Sequence, residues 1–185
     1  IKEGLDGSEV INSLPGINRY GLNALDSELE RIQNNKINAV AVFPVIDPKK
    51  KDDNGTESLN EDNLVCKAIK QIKNSSDLTV IADVALDPYT SHGHDGLLDE
   101  SGYVDNDTSL ASLTGQAMTL AKAGADMVAP SDMMDGRIAS IRSALEENGF
   151  VNTIILSYAA KYSSKFYGPF RDAVGSSSNL GVGSK

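Results

Sequence analysis

Three stretches of this chain gather side chains that can do chemistry. The first, residues 83–96, holds Asp83, Asp87 and Asp95 together with His92 and His94. If strand alternation runs through its start, Asp83, Ala85 and Asp87 share one face. Carboxylates and imidazoles at this density suit a divalent cation, and the oxygen-rich set favours a hard ion such as Mg2+ over Zn2+. The same residue types also cap helices and shape turns. The second stretch, residues 129–137, places Ser131, Asp132 and Asp135 between an apolar run and a helix. There backbone donors and a helix N-terminus face a ligand, or one of the three side chains caps the helix; Met133 and Met134 read as packing. The third, residues 156–172, sets Lys161 among Tyr158, Tyr162, Phe166, Tyr167 and Phe170, five of the chain's ten Phe and Tyr residues. A desolvated amine near another cation, here Lys165 or Arg171, is able to attack a carbonyl and form a Schiff base. Composition alone makes a lysine more often a surface charge than a nucleophile.

Positioning these groups requires elements, and the hydrophobic pattern supplies them. Leu22, Leu25, Leu29 and Ile32 recur at helical spacing before the apolar run 39–43, and Leu64, Ala68 and Ile72 before 78–82. A third helix through Leu110, Leu113, Ala117 and Leu120 ends at Gly124 before the run 126–129, and a fourth through Ile138, Ile141 and Leu145 stops at Asn148 and Gly149 before 153–156. Alternating helices and short buried strands predict a parallel sheet with right-handed crossovers. Each strand runs into the polar residues above, no GxGxxG or Walker lysine follows any of them, and groups drawn from consecutive strand ends favour a barrel rim over an open sheet. A full barrel takes about 250 residues, so the chain is expected to form roughly the N-terminal half to two-thirds of a (β/α)8 TIM barrel, residues 1–185 making one α/β domain. Residues 47–60, rich in Lys, Asp, Asn and Gly, read as a solvated loop.

With 17 Lys and Arg against 26 Asp and Glu, a net charge of −9 and no basic run beyond Lys49-Lys50-Lys51, neither nucleic acid nor an anionic membrane surface is expected as a partner. A single cysteine, Cys66, makes no internal disulfide, which suits a reducing compartment such as the cytoplasm.

The runs 83–96, 129–137 and 157–172, with weaker similarity through 12–17 and 43–45, closely resemble the porphobilinogen synthase (5-aminolevulinate dehydratase) family. The resemblance implies a hydro-lyase that condenses two molecules of 5-aminolevulinate to porphobilinogen in tetrapyrrole biosynthesis, losing two waters through lysine Schiff bases. Lys161, in a Ser-Tyr-x-x-Lys string, takes the place of one of the family's Schiff-base lysines; the other belongs to a later Val-Lys-Pro-like segment that this sequence lacks. The family's N-terminal arm, through which members form homo-octamers, and its last barrel strands are likewise expected outside the sequence. Asp83, Ser131 and Asp132 are then placed to move protons or bind the substrate amine, and Arg171, in a Gly-Pro-Phe-Arg string, to bind a substrate carboxylate. Phe166 and Phe170 would keep water from the imine, while Tyr158 and Tyr162 bond substrate or pack. Zinc-dependent members carry cysteines where this sequence has Ala85, Asp87 and Asp95. Zn2+ is therefore not expected, and the chain is similar to the aspartate-rich, magnesium-responsive branch, with Mg2+ either at Asp87 and Asp95 or at an allosteric position outside this sequence. The compartment implied is cytoplasm or plastid. Two other readings stand beside it: a different Schiff-base aldolase-type barrel, or a catalytically silent fragment that completes an oligomer.

Overall fold

A computed structural model describes residues 1–162 and 164–175. The chain opens with an antiparallel hairpin, β1 (Ser8–Val10) and β2 (Asn18–Tyr20), in which Glu9 lies opposite Arg19. Four helix–strand units follow: α1 (Leu25–Asn34) and β3 (Ala39–Val42), α2 (Leu64–Ser75) and β4 (Thr79–Val84), α3 (Asn106–Ala123) and β5 (Met127–Pro130), α4 (Arg137–Glu147) and β6 (Ile154–Ile155). A short helix, α5 (Tyr167–Val174), comes last.

The strands are parallel and stand in the order β3-β4-β5-β6, each new strand added on the same side as the one before. With right-handed crossovers that order puts every connecting helix on one face, whereas a doubly wound sheet reverses direction and covers both. The core agrees. Val42, Val80, Ala82, Val84 and Val128 pack on one side against Leu29, Ile69, Leu113, Leu120, Ile141 and Leu145 from α1 to α4. The opposite face, where the register aligns Ala41, Ile81, Met127 and Ile154, carries no helix, and Ile154 is 52% exposed. This is the strand order and one-sided layering of a partial (β/α) barrel, as the sequence pattern predicts.

Several local expectations change. Strand β4 extends through Val84, so Asp83 lies within it rather than beyond it. Ala85 and Asp87 do not continue its alternation, because the chain turns at once: the Tyr89 and Thr90 amides both donate to the Leu86 carbonyl. Helix α2 is capped by Asn63, whose Oδ1 accepts from the Cys66 amide at 2.8 Å. Helix α4 starts after Gly136, whose φ of 83° suits glycine, and none of Ser131, Asp132 or Asp135 caps it. The stretch 47–60 is not wholly solvated: it holds the 3-10 turns Pro48–Lys50 and Thr56–Leu59, Gly55 and Ser58 are buried, and Lys51 is half-buried.

Candidate active site

Beyond the carboxyl ends of β3, β4 and β5 lies a cavity of about 290 Å³, lined by groups from every strand-end segment the sequence singled out. Phe43 and Pro44 follow β3, Asp83 is the next-to-last residue of β4, Asp87 and Asp95 come from the segment after it, and Ser131 and Met133 follow β5. Tyr158, Lys161 and Tyr162 rise from the segment after β6, and Tyr167, Phe170 and Arg171 from α5. Parallel register explains much of this. Asp83 pairs with Ala129 and Ala41 with Ile81, so the helix-free face of the sheet feeds its alternate residues into the cavity floor.

Lys161 sits at the centre. Its Nζ donates to the Ser131 carbonyl oxygen at 2.6 Å and lies 3.4 Å from Asp95 Oδ2. The lysine side chain is one-quarter exposed and Asp95 almost wholly buried, so the pair is shielded yet reachable from the cavity. Asp83 lies alongside. Burial lifts its carboxyl from the ordinary 3.8 to about 7, a hydrogen bond from Ser131 and the Lys161 charge pulling down while the Asp95 and Asp132 carboxylates push up. Its Oδ1 is closed to solvent and accepts no hydrogen bond from the protein. A carboxyl held near neutrality beside an amine is the arrangement a proton donor and acceptor needs. Tyr158 has its hydroxyl pKa raised, first by burial and then by the nearby Asp83 charge.

Two predicted groups stand elsewhere. Asp132 is 1% exposed and does not line the cavity; its Oδ1 accepts from the Met134 amide at 2.8 Å and lies 3.4 Å from Arg137 Nε. Its carboxylate holds the turn between β5 and α4. Phe166 is 91% exposed and does not line the cavity, whereas Phe170 lines it and meets the Phe43 ring edge-on, centroids 5.2 Å apart. Met133, read as packing, is 54% exposed and lines the cavity, while Met134 joins the core. Phe43 and Tyr167 were not among the predicted site residues. The signal for Phe43 was present: one step past β3, the register carries it to the level of Asp83.

Among the described residues no three His, Cys, Asp or Glu side chains converge as a metal-ligand group. Asp87 and Asp95 both line the cavity, and Asp95 Oδ2 lies 3.4 Å from the Lys161 ammonium. His92 turns its Nε2 to the Asp53 carbonyl at 3.2 Å, and its Nδ1 accepts from the His94 amide at 3.1 Å. The cavity itself presents an amine, carboxyls and a guanidinium. Among the described residues no helix is long and apolar enough to cross a membrane.

Comparison with known proteins identifies the family of the chain. The family model described as delta-aminolevulinic acid dehydratase matches residues 1–184. Delta-aminolevulinic acid dehydratase of Bradyrhizobium diazoefficiens is 48% identical over 179 residues, covering 96% of this chain and 50% of that protein. A chloroplastic relative from Arabidopsis thaliana, delta-aminolevulinic acid dehydratase 1, is 44% identical over 173 residues, 92% of this chain and 40% of its own. Among solved structures, delta-aminolevulinic acid dehydratase (porphobilinogen synthase) of Toxoplasma gondii in complex with the reaction product porphobilinogen superposes with a TM-score of 0.93 at 45% identity, covering 98% of this chain and 52% of that one. The chain thus spans about half the length of these relatives. With its barrel strands, its lysine-centred cavity and a match along almost its whole length, this chain belongs to the delta-aminolevulinic acid dehydratase family.

Proposed function

We propose that this chain carries the Lys161 side of a porphobilinogen synthase active site and forms one of the two imines through which 5-aminolevulinate is condensed and dehydrated. The observation that supports this most is the placement of Lys161 in a shielded cavity with Asp83, Asp95 and Arg171 around it. The ammonium sheds a proton to Asp95, 3.4 Å away, and the freed amine attacks the substrate's ketone carbon to give a carbinolamine. Asp83, with a carboxyl near neutrality, then protonates the departing hydroxyl, water leaves, and the C=N bond of the Schiff base remains. Arg171 offers its guanidinium fork to the substrate carboxylate, and Phe43 with Phe170 walls the imine from water.

Further readings follow from the resemblance. Magnesium responsiveness rather than a catalytic zinc is supported by Ala85, Asp87 and Asp95 standing where zinc-dependent members have thiolates. Assembly into a homo-octamer rests on membership of the family, and a reducing compartment, cytoplasm or plastid stroma, on the buried free thiol of Cys66.

Borohydride reduction in the presence of 5-aminolevulinate, followed by peptide mapping, tests the central step. A substrate-sized mass on the peptide carrying Lys161, lost in Lys161→Met, is the expected outcome. Folded protein that leaves Lys161 unmodified removes its covalent role and turns the reading toward an assembly fragment.

A further inference from the structure

Helix α5 brings Phe170 and Arg171 to the cavity, yet none of its residues is fully buried, so packing beneath the helix, the Phe43–Phe170 contact included, holds it only in part. The β1–β2 hairpin holds it from outside. Arg19, on β2, donates from Nε to the Ala173 carbonyl at 2.7 Å and from Nη2 to the Asp172 carbonyl, and Nη2 also lies 3.6 Å from the Asp172 carboxylate. These carbonyls belong to the last turn of α5, where an α-helix leaves acceptors without intrahelical donors and gathers the negative end of its dipole. On its other side Arg19 Nη1 meets Glu9 Oε1 at 2.8 Å, and Glu9 is held by Lys2 at 2.8 Å, so the guanidinium is braced against the hairpin before it reaches the helix. Ser13, in the hairpin loop, adds a hydroxyl donated to the Asp172 carboxylate. The Arg19 side chain is only 16% exposed, and it crosses more than 150 residues of sequence to make these contacts. A planar fork whose donors are spread over three nitrogens spans two successive carbonyls and a carboxylate at once, whereas an ammonium's three donors radiate from a single atom and reach fewer of them.

We propose that Arg19 is a positioning residue: it latches α5 across the cavity mouth and so holds Arg171 and Phe170 where the substrate carboxylate binds. Arg19 itself lines no part of the cavity, so its influence on binding passes through α5 alone. The binding half of the proposal rests on the reading of Arg171 as the carboxylate partner; the latch itself does not.

The test uses the polypeptide as it occurs naturally, with Arg19→Ala and Arg19→Lys. Amide hydrogen exchange is read without substrate, and KM and kcat for 5-aminolevulinate are measured on the same samples. The latch predicts exchange across residues 167–175 faster by about ten-fold in Arg19→Ala, with α2 and β4 unchanged, as expected when roughly one charge-assisted clamp is lost. It also predicts KM raised by about ten-fold with a smaller change in kcat, and partial recovery of both in Arg19→Lys, which keeps the Glu9 pair and one carbonyl bond. Parental exchange in α5 overturns the latch. Faster exchange with an unchanged KM overturns its role in binding while leaving the imine at Lys161 untouched. Should Arg19→Ala also release amides of α2 and β4, Arg19→Lys decides: exchange raised in α5 alone supports the latch, and parental exchange there overturns it.

Discussion

Asp83 shows how one residue ties stability to chemistry in this cavity. Its carboxyl has an ordinary pKa of 3.8 when the chain is unfolded and about 7 when it is folded. Between those values the folded chain holds a proton that the unfolded chain has lost, so stability is greatest below the lower value and falls as pH rises through the window, levelling off above about 7. The loss is on the order of 4 kcal/mol for a shift of this size. Replacement by the neutral isostere, Asp83→Asn, removes the titration. The melting temperature of the variant relative to the parent is therefore expected to rise between about pH 4 and about pH 8, and a constant difference across that range would contradict the assigned ionisation. The same variant is expected to form the Lys161 imine about 10²-fold to 10⁴-fold more slowly, since it can neither give nor take a proton. Reduced-adduct formation followed over time measures that rate. At this scale the sequence was informative about which residues matter and much less about where they point. Lys161, Asp83 and Arg171 stand in unusual strings next to strand ends, and they converge. The approach of Asp95 to Lys161 spans 66 residues and depends on how the segment after β4 folds back, which no local pattern encodes.

The elements differ in how far local pattern determines them. The four helix–strand units were readable because each helix buries a stripe at 3.6-residue spacing and each strand is a short apolar run, both dictated by one shared core. The β1–β2 hairpin was not, since Ser8–Val10 and Asn18–Tyr20 are three-residue strands with little apolar content, paired across a loop rather than packed in the core. Helix α5 was hidden for a related reason: none of its eight residues is fully buried, and its aromatic residues face a cavity and not a packed stripe. The turn between β5 and α4 illustrates a third case. Asp132 has the sequence position of a ligand-binding or capping residue, but folding buries it against Arg137 and the Met134 amide, and burial raises its pKa. Asp132→Ala leaves Arg137, whose side chain is 17% exposed, without that partner. Removing one member of a fully buried pair costs about 3–5 kcal/mol. With a 3.4 Å contact and a partly exposed guanidinium, the loss is expected at or below the lower end of that range. Asp132→Asn, which keeps an acceptor for Met134, is expected to cost less. Urea denaturation of the two variants ranks them, and equal midpoints would return Asp132 to a role outside the fold of this turn.

Seen whole, the molecule has a covered side and an open one. Parallel sheets in α/β proteins are covered on both faces, yet here the helices occupy one face only, and the other presents Ala39, Ala41 and Ile154 to solvent. The chain spans about half of its relatives, and residues on that face lead straight to the cavity floor. In a closed barrel this face becomes the interior, packed with layers of side chains from alternate strands. Ile154 reports whether that closure takes place, because it is 52% exposed here and sits on the last strand of the sheet, where the next one would pair. In the 185-residue chain Ile154→Lys exchanges one exposed side chain for another, and such changes stay within about 0.5 kcal/mol. In a polypeptide extended to the relatives' length the same substitution puts an ammonium into a packed barrel interior, and a loss of several kcal/mol is expected from burying an unpaired charge. Thermal unfolding of both forms, each with and without the substitution, separates the alternatives. A penalty confined to the longer polypeptide means that further strands cover this face and that the cavity floor is set only on closure. Equal, small effects in both forms mean that the face stays in water, and the site must then be built from the groups on this chain alone.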